Sequence, residues 1–179
     1  MILTGPEIER RLAAGEIEIE PRGGLKFGPN SVDLTLADRV LVYDAPTRGG
    51  VLDPRRENLT RELRIPPGGL ELTPGVLYLG STVERTNCGD LVPWVEGRSS
   101  VGRLGLFVHV TAGFGDIGFN STWTLELTCV HRVRVHPGMR VCQLVLAESV
   151  GEVRPYRGKY QHQAGPVASR LHLDAEGGA

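Results

Sequence analysis

What most constrains this chain is that its apolar residues come in short runs, mostly of four to eight, each closed by Pro, Gly or a polar turn. GLELTPGVLYLGST breaks at Pro74-Gly75, and LVPWVEGRSS carries Pro93, which suits an edge strand or bulge. Leu104 to Thr111, Trp123 to Val130, Val133 to Val135 and Val141 to Ala147 continue the series, with a His136-Pro137-Gly138 turn between the last two. Within TWTLELT the polar and apolar residues alternate with a period of two, the signature of a strand with one buried face. Short strands with closely spaced turns favour an all-β sandwich or barrel over any βαβ arrangement.

The same reading extends to the N-terminal part. Ser31 to Tyr43 (SVDLTLADRVLVY) places Val32, Leu34 and Leu36 on one face and Asp33 and Thr35 on the other, a strand with a hairpin at Ala37 to Arg39. Asp33 is open to three readings: a site residue, a subunit contact or a solvated carboxylate. One helix is predicted, capped by Thr4, with Pro6 and Glu7 in its first turn, Ile8 and Leu12 on one face, and Gly15 as its stop. From Asp44 to Pro67 the composition turns to Pro, Gly, Arg and Glu, as in a long surface excursion without chemistry.

At 179 residues the chain is the size of one domain, 1–179, whose polar segment 151–179 is too poor in apolar residues to hold a core of its own. Twenty Lys and Arg against 21 Asp and Glu leave no basic field for nucleic acid, so phosphate recognition has to be local. Cys88, Cys129 and Cys142 are odd in number and lack CxxC spacing, which points to a reduced, cytoplasmic setting. MILTGPEIERRL resembles neither a signal nor a transit peptide. No apolar run nears the roughly 20 residues that span a bilayer, so a soluble protein without a membrane partner is expected.

Chemistry concentrates between Glu96 and Leu127, EGRSSVGRLGLFVHVTAGFGDIGFNSTWTLEL. Arg98, Ser99, Ser100 and Arg103 fall in a turn where guanidinium forks, hydroxyls and backbone can face one anion, as in a phosphate cradle. Glu126 sits on a rigid strand and shares its face with Thr124 and Thr128. The same spacing also fits a plain ion pair of Arg98 or Arg103 with Glu126 or Asp116 on the outside of a sheet.

EGRSSVGRLGL, VHVTAGFGDIGF and TLEL, flanked by PNSVDLTL and KYQHQAGPVASRL, resemble in this order the dCTP deaminase branch of the trimeric dUTPase-like superfamily. The resemblance covers most of the chain. It implies a distorted jelly-roll β-barrel with a short N-terminal helix, assembled as a homotrimer, and an arm, 151–179, folding over the nucleotide. Glu126 is then the general base and acid, while Ser99, Arg103 and the Ala112 carbonyl hold the attacking water. Thr124, Leu125 and Glu126 read the pyrimidine edge, and Asp116 accepts the 3′ hydroxyl. Phe119 packs on the deoxyribose or serves simply as core. Phosphates meet Arg98, Ser99, Ser100, the backbone amides of Val101 and Gly102, Gln143, and Tyr156, Lys159 and Gln163 from the arm. Mg2+ enters with the triphosphate, held by phosphate oxygens and water.

Zinc-dependent deaminases carry HxE and PCxxC elements. Neither occurs here, and His109, His131, His136, His162 and His172 lack ligand spacing with the cysteines, so no protein-bound metal is expected. Glutamate can do proton work when partial burial and a nearby cation balance its proton affinity, and Arg103 is the candidate cation. The principal expectation is dCTP to dUTP and ammonia, in pyrimidine deoxynucleotide metabolism, with dUTP or dTTP as further ligands. The alternative is a bifunctional deaminase/dUTPase forming dUMP, ammonia and diphosphate. Gly113-Phe114 and Phe119, where deaminase-only relatives often carry His-Arg and Trp, and a short arm between Tyr156 and Lys159 mark departures from the deaminase-only pattern. A plain dUTPase has no use for Glu126, and neither has a nucleotide-sensing scaffold.

Overall fold

The computed structural model describes residues 1–47, 49–109 and 111–176. In chain order its elements are α1 (Gly5–Ala14), β1 (Glu18–Glu20), β2 (Lys26–Phe27), β3 (Val32–Thr35), β4 (Arg39–Tyr43), α2 (Asp44–Thr47), β5 (Thr60–Arg64) and β6 (Leu70–Leu72). Then follow β7 (Tyr78–Asn87), β8 (Val92–Gly97), α3 (Ser99–Gly102), β9 (Leu106–Phe107), β10 (Asn120–Cys129), β11 (Val133–Val135), β12 (Arg140–Ala147) and α4 (His172–Glu176). One sheet runs β5-β4-β7-β10-β9 with β1 also on β7, a second runs β2-β3-β12-β8, and β11 pairs β6. This is an all-β architecture with a short N-terminal helix, as the sequence implies.

Alternation builds the core. Along β10 the side chains of Ser121, Trp123, Leu125, Leu127 and Cys129 are buried while Thr122, Thr124, Glu126 and Thr128 are half-exposed. Leu125 and Leu127 meet Leu34, Leu144 and Leu146 of the other sheet in one apolar cluster, each worth about 1.5–3 kcal/mol on burial. The β7–β10 ladder shifts register between Thr122 and Thr124. At this bulge the Trp123 N–H donates to the Thr82 hydroxyl (2.9 Å) and its indole N–H to Thr86 (3.0 Å), so the buried tryptophan leaves no donor unpaired.

Helix α1 forms as the sequence dictates: the Glu7 N–H donates to Thr4 Oγ1 (3.4 Å), Gly15 closes it at φ 74°, and Ile8 and Leu12 are buried. Three expectations change. Ala37 to Arg39 is no hairpin, because β3 pairs β2 and β12 whereas β4 pairs β5 and β7; the chain crosses between sheets there, and Leu36 bridges Thr82. The Asp44 to Pro67 excursion contains the edge strand β5, TRELR, whose charged residues suit an exposed edge and hide its strand character. Of Leu104 to Thr111 only Leu106 and Phe107 pair as strand, and Val110 lies outside the described residues. The three cysteines are buried free thiols; burial pushes Cys88 up to about 12 and Cys142 up as well, Glu84 and Asp33 adding to the latter. No helix among the described residues is long and apolar enough to cross a membrane.

Candidate active site

β10 holds the site on the half-exposed face that carries Thr122, Thr124 and Glu126. β7 lines one side along most of its length, but β9 covers only Thr128 and Cys129 on the other. Over the half-exposed face lies a cavity of about 470 Å³, lined also by Leu79 of β7 and Tyr43 of β4. Glu126 and Thr124 form one wall, Ala112 and Asp116 come from the loop before β10, and Phe119 packs into the floor against Trp123 (ring centroids 4.7 Å apart). The loop is shaped by backbone fit: the Val95 N–H donates to the Gly113 carbonyl (2.8 Å), and a Cβ on Gly113 would stand 2.4 Å from the Val95 oxygen. Only glycine fits there without displacing β8.

The C-terminal arm closes the cavity through hydroxyls of β10. Backbone N–H groups of Gln163, Gly165 and Val167 donate to Ser121 (3.1 Å), Thr122 (3.0 Å) and Thr124 (3.2 Å). The Gln163 amide donates to the Thr122 carbonyl (2.9 Å) and the Thr124 hydroxyl (3.2 Å). Tyr156 is fixed by its own N–H on the Ile117 carbonyl (2.7 Å) and by an edge contact with Phe119. Phe119 is thus both core and cavity lining.

A second concavity, on the four-stranded sheet, collects Arg98, Ser99, Ser100 and Gln143 with Asp33 and Ser31. Asp33 is no solvated carboxylate: its side chain is 12% exposed, with Arg98 Nε 3.1 Å from one oxygen and Arg140 Nε 3.8 Å from the other. Arg98 also donates to the Arg140 carbonyl (3.1 Å), so its guanidinium is aimed by two partners. This pairing replaces the ion pair to Glu126 or Asp116 that the spacing allowed. Ser31 donates to Gln143 (3.2 Å), while the Ser99 and Ser100 hydroxyls are exposed and take no protein partner among the described residues.

The sequence-predicted residues therefore fall into two groups. Glu126, Thr124, Asp116, Ala112, Tyr156 and Gln163 share the cavity; Arg98, Ser99, Ser100 and Gln143 share the second concavity; the two have no lining residue in common. Leu125 is fully buried and presents only its backbone. Arg103 is exposed and lines neither, and Lys159 is ion-paired with Asp174. Val101 and Gly102 both donate their N–H to the Arg98 carbonyl (2.9 Å each), because Ser99–Gly102 form a helical turn. Those two amides are taken up by the turn and not free for phosphate, a correction to the expectation. The residue that the sequence reading passed over is His109, whose Nδ1 lies 3.5 Å from Glu126 Oε2. A lone polar residue in the apolar run LFVHV was the available signal. No cluster of three or more His, Cys, Asp or Glu suited to a metal occurs among the described residues.

The family model for dCTP deaminase-like proteins matches residues 2–149. The chain is 49% identical over 177 residues (98% of it and 100% of the relative) to "dCTP deaminase, dUMP-forming" of Hathewaya histolytica. It is 49% identical, over 98% of it and 99% of the relative, to the protein of the same name from Cytophaga hutchinsonii. The crystal structure of 2'-deoxycytidine 5'-triphosphate deaminase from Agrobacterium tumefaciens shares the fold at TM-score 0.62 and 22% identity, over 81% of this chain and 47% of that one. Site geometry apart, sequence coverage on this scale decides membership: the chain belongs to the dCTP deaminase-like family.

Proposed function

We propose that this chain is a bifunctional dCTP deaminase that converts dCTP to dUMP, ammonia and diphosphate. The observation that carries the reading is a strand-held carboxylate, Glu126, in the wall of a nucleoside-sized cavity, in a chain half identical along its length to enzymes named dCTP deaminase, dUMP-forming. Those names favour the dUMP-forming alternative over the dUTP-forming expectation. Gly113 adds support, since the loop beside Asp116 has no room for the side chain that deaminase-only relatives carry there.

In this mechanism water adds to C4 of cytosine while Glu126 takes its proton and delivers it to N3. Glu126 then moves the remaining proton of the C4 hydroxyl to the amino group, which leaves as ammonia as the C4 oxygen becomes the uracil carbonyl. Ser99, Arg103 and the Ala112 carbonyl hold the water; the backbone of Thr124, Leu125 and Glu126 meets the base edge; Asp116 takes the 3′ hydroxyl. Arg98, Ser99, Ser100 and Gln143 receive the phosphates, joined by Tyr156, Lys159 and Gln163 when the arm closes, Lys159 exchanging Asp174 for phosphate. Mg2+ belongs to the substrate complex: Asp33, the carboxylate of the phosphate concavity, is already paired to two arginines, so phosphate oxygens and water supply the ligands. A second water, in line with the α-phosphorus and oriented by Asp116 or Asp33, displaces diphosphate to give dUMP.

A homotrimer completes the site. Within one protomer the cavity and the phosphate concavity are separate; a cyclic assembly that sets the concavity of one protomer against the cavity of the next unites Glu126 with Arg98 and Ser99, and brings up Arg103, which ends the α3 turn beside the concavity. The test is a product time course with purified protein, dCTP and magnesium, resolving dUTP, dUMP, ammonia and diphosphate. The proposal expects dUMP and diphosphate to appear in step with ammonia. Accumulation of dUTP without diphosphate makes the enzyme a deaminase only, and absence of ammonia overturns the deaminase reading.

A further inference from the structure

Among the described residues, His109 is the one polar side chain that no part of the mechanism above uses and that approaches the proposed base. It follows β9, its side chain is 7% exposed, and neither ring nitrogen has a hydrogen-bond partner among the described residues. A buried imidazole in that condition is costly, and such a cost persists where the group has work to do. The surroundings of the two nitrogens differ. Nδ1 lies 3.5 Å from Glu126 Oε2, whereas no ion pair or hydrogen bond reaches Nε2 among the described residues.

A neutral imidazole carries one N–H and one lone pair. An N–H without an acceptor costs more than a lone pair without a donor, and Nδ1 is the nitrogen with an acceptor near it, so the proton belongs on Nδ1, facing the carboxylate. No other hydrogen bond or ion pair reaches the Glu126 carboxylate among the described residues, and the neighbouring Thr124 hydroxyl is occupied by the Val167 and Gln163 donors. Resting on the reading of Glu126 as proton shuttle, we propose that His109 is a positioning residue whose Nδ1–H holds Oε2 of Glu126 and leaves Oε1 as the oxygen that takes the proton of water. The 3.5 Å separation shortens to a hydrogen bond by a shift of well under 1 Å, of the kind that accompanies substrate closure. A tethered carboxylate keeps one orientation, and with it the alignment of proton acceptor and attacking water.

Asn at position 109 places an amide N–H near the site of Nδ1; Phe keeps the ring volume without a donor. His109→Phe is expected to lower kcat about 10- to 100-fold with KM within roughly threefold, and His109→Asn to recover a clear part of that loss. A role confined to packing predicts the reverse order, with Phe tolerated and Asn worse. Independently of turnover, 15N-imidazole NMR of the unliganded protein is expected to report the Nδ1–H tautomer for His109, lost in Glu126→Leu. Wild-type kcat in a folded His109→Phe, no recovery in His109→Asn, or an Nε2–H tautomer indifferent to Glu126 overturns the proposal. Should His109→Phe not fold, His109→Asn and the spectrum decide. If the wild-type protein releases no ammonia from dCTP, the deaminase reading fails while the spectrum still judges the contact.

Discussion

Replacing Thr124 with valine isolates what holds the arm shut. The hydroxyl accepts two bonds, from the Val167 N–H and the Gln163 side-chain amide, both at 3.2 Å. Valine keeps the shape and the β-branching, so the strand and its burial pattern are preserved. Each bond contributes about 0.5–1.5 kcal/mol net, giving roughly 1–3 kcal/mol for the pair. With a factor of ten for about 1.4 kcal/mol, the open arm becomes roughly 5- to 150-fold more populated. Limited trypsin digestion reads this directly, since Arg157, Lys159 and Arg170 lie on the arm and cleavage follows the open population when opening is fast. Thr128→Val, on the same face of β10 but paired to β9 and not to the arm, is the control. A Thr124→Val cleavage rate within twofold of the control would refute the claim that β10 hydroxyls latch the arm.

Glu126→Gln is expected to lower turnover by about 10²–10⁴-fold while magnesium-dCTP affinity, measured by titration calorimetry, stays within roughly tenfold, because the amide keeps the shape but accepts no proton; substantial residual deamination removes Glu126 from its role. A zinc-selective chelator is expected to leave activity intact while removal of magnesium depresses it, and inactivation reversed by zinc alone contradicts the metal-free proton chemistry. Arg10 first and Arg11 second hold the Glu7 carboxyl down to about 2 from an ordinary 4.5, so the cluster that staples α1 to Glu148 contributes its stability fully above about pH 4.5 and loses it as pH falls toward about 2. The melting-temperature gap between wild type and Glu7→Gln is therefore expected to close over that range, and a gap that persists at pH 2 shows the contact to be other than ionic.

Periodicity made β10, β11, β12 and α1 legible, because each buries one face and advertises it every second or every third and fourth residue. It failed for β5, where an edge strand exposed on both faces carries Arg and Glu like a loop. It failed also at Ala37 to Arg39, where two alternating runs in sequence belong to different sheets, a fact of long-range pairing that no local pattern records. The site divided in the same way. Glu126, Thr124, Asp116 and Gln163 carry their chemistry in their residue types. The use of the Val101 and Gly102 amides within a helical turn, the aiming of Arg98 by Asp33, and the approach of His109 to Glu126 all depend on distances set by folding. Lys159, expected at phosphate, is ion-paired with Asp174, a partner 15 residues along the arm that no local pattern announces.

Mixing two inactive variants tests the shared site most directly. Glu126→Gln spoils the cavity and leaves the phosphate concavity intact; Arg98→Ala does the opposite. If each site takes Glu126 from one protomer and Arg98 from the next, random reassembly of the two at equal amounts, after mild dissociation, restores one wild-type pair in about a quarter of the sites. Ammonia release from dCTP is then expected to rise from near zero to about a quarter of the wild-type rate. If the mixture, shown by mass spectrometry to contain mixed trimers, stays as inactive as its components, each site lies within a single protomer and the account is wrong.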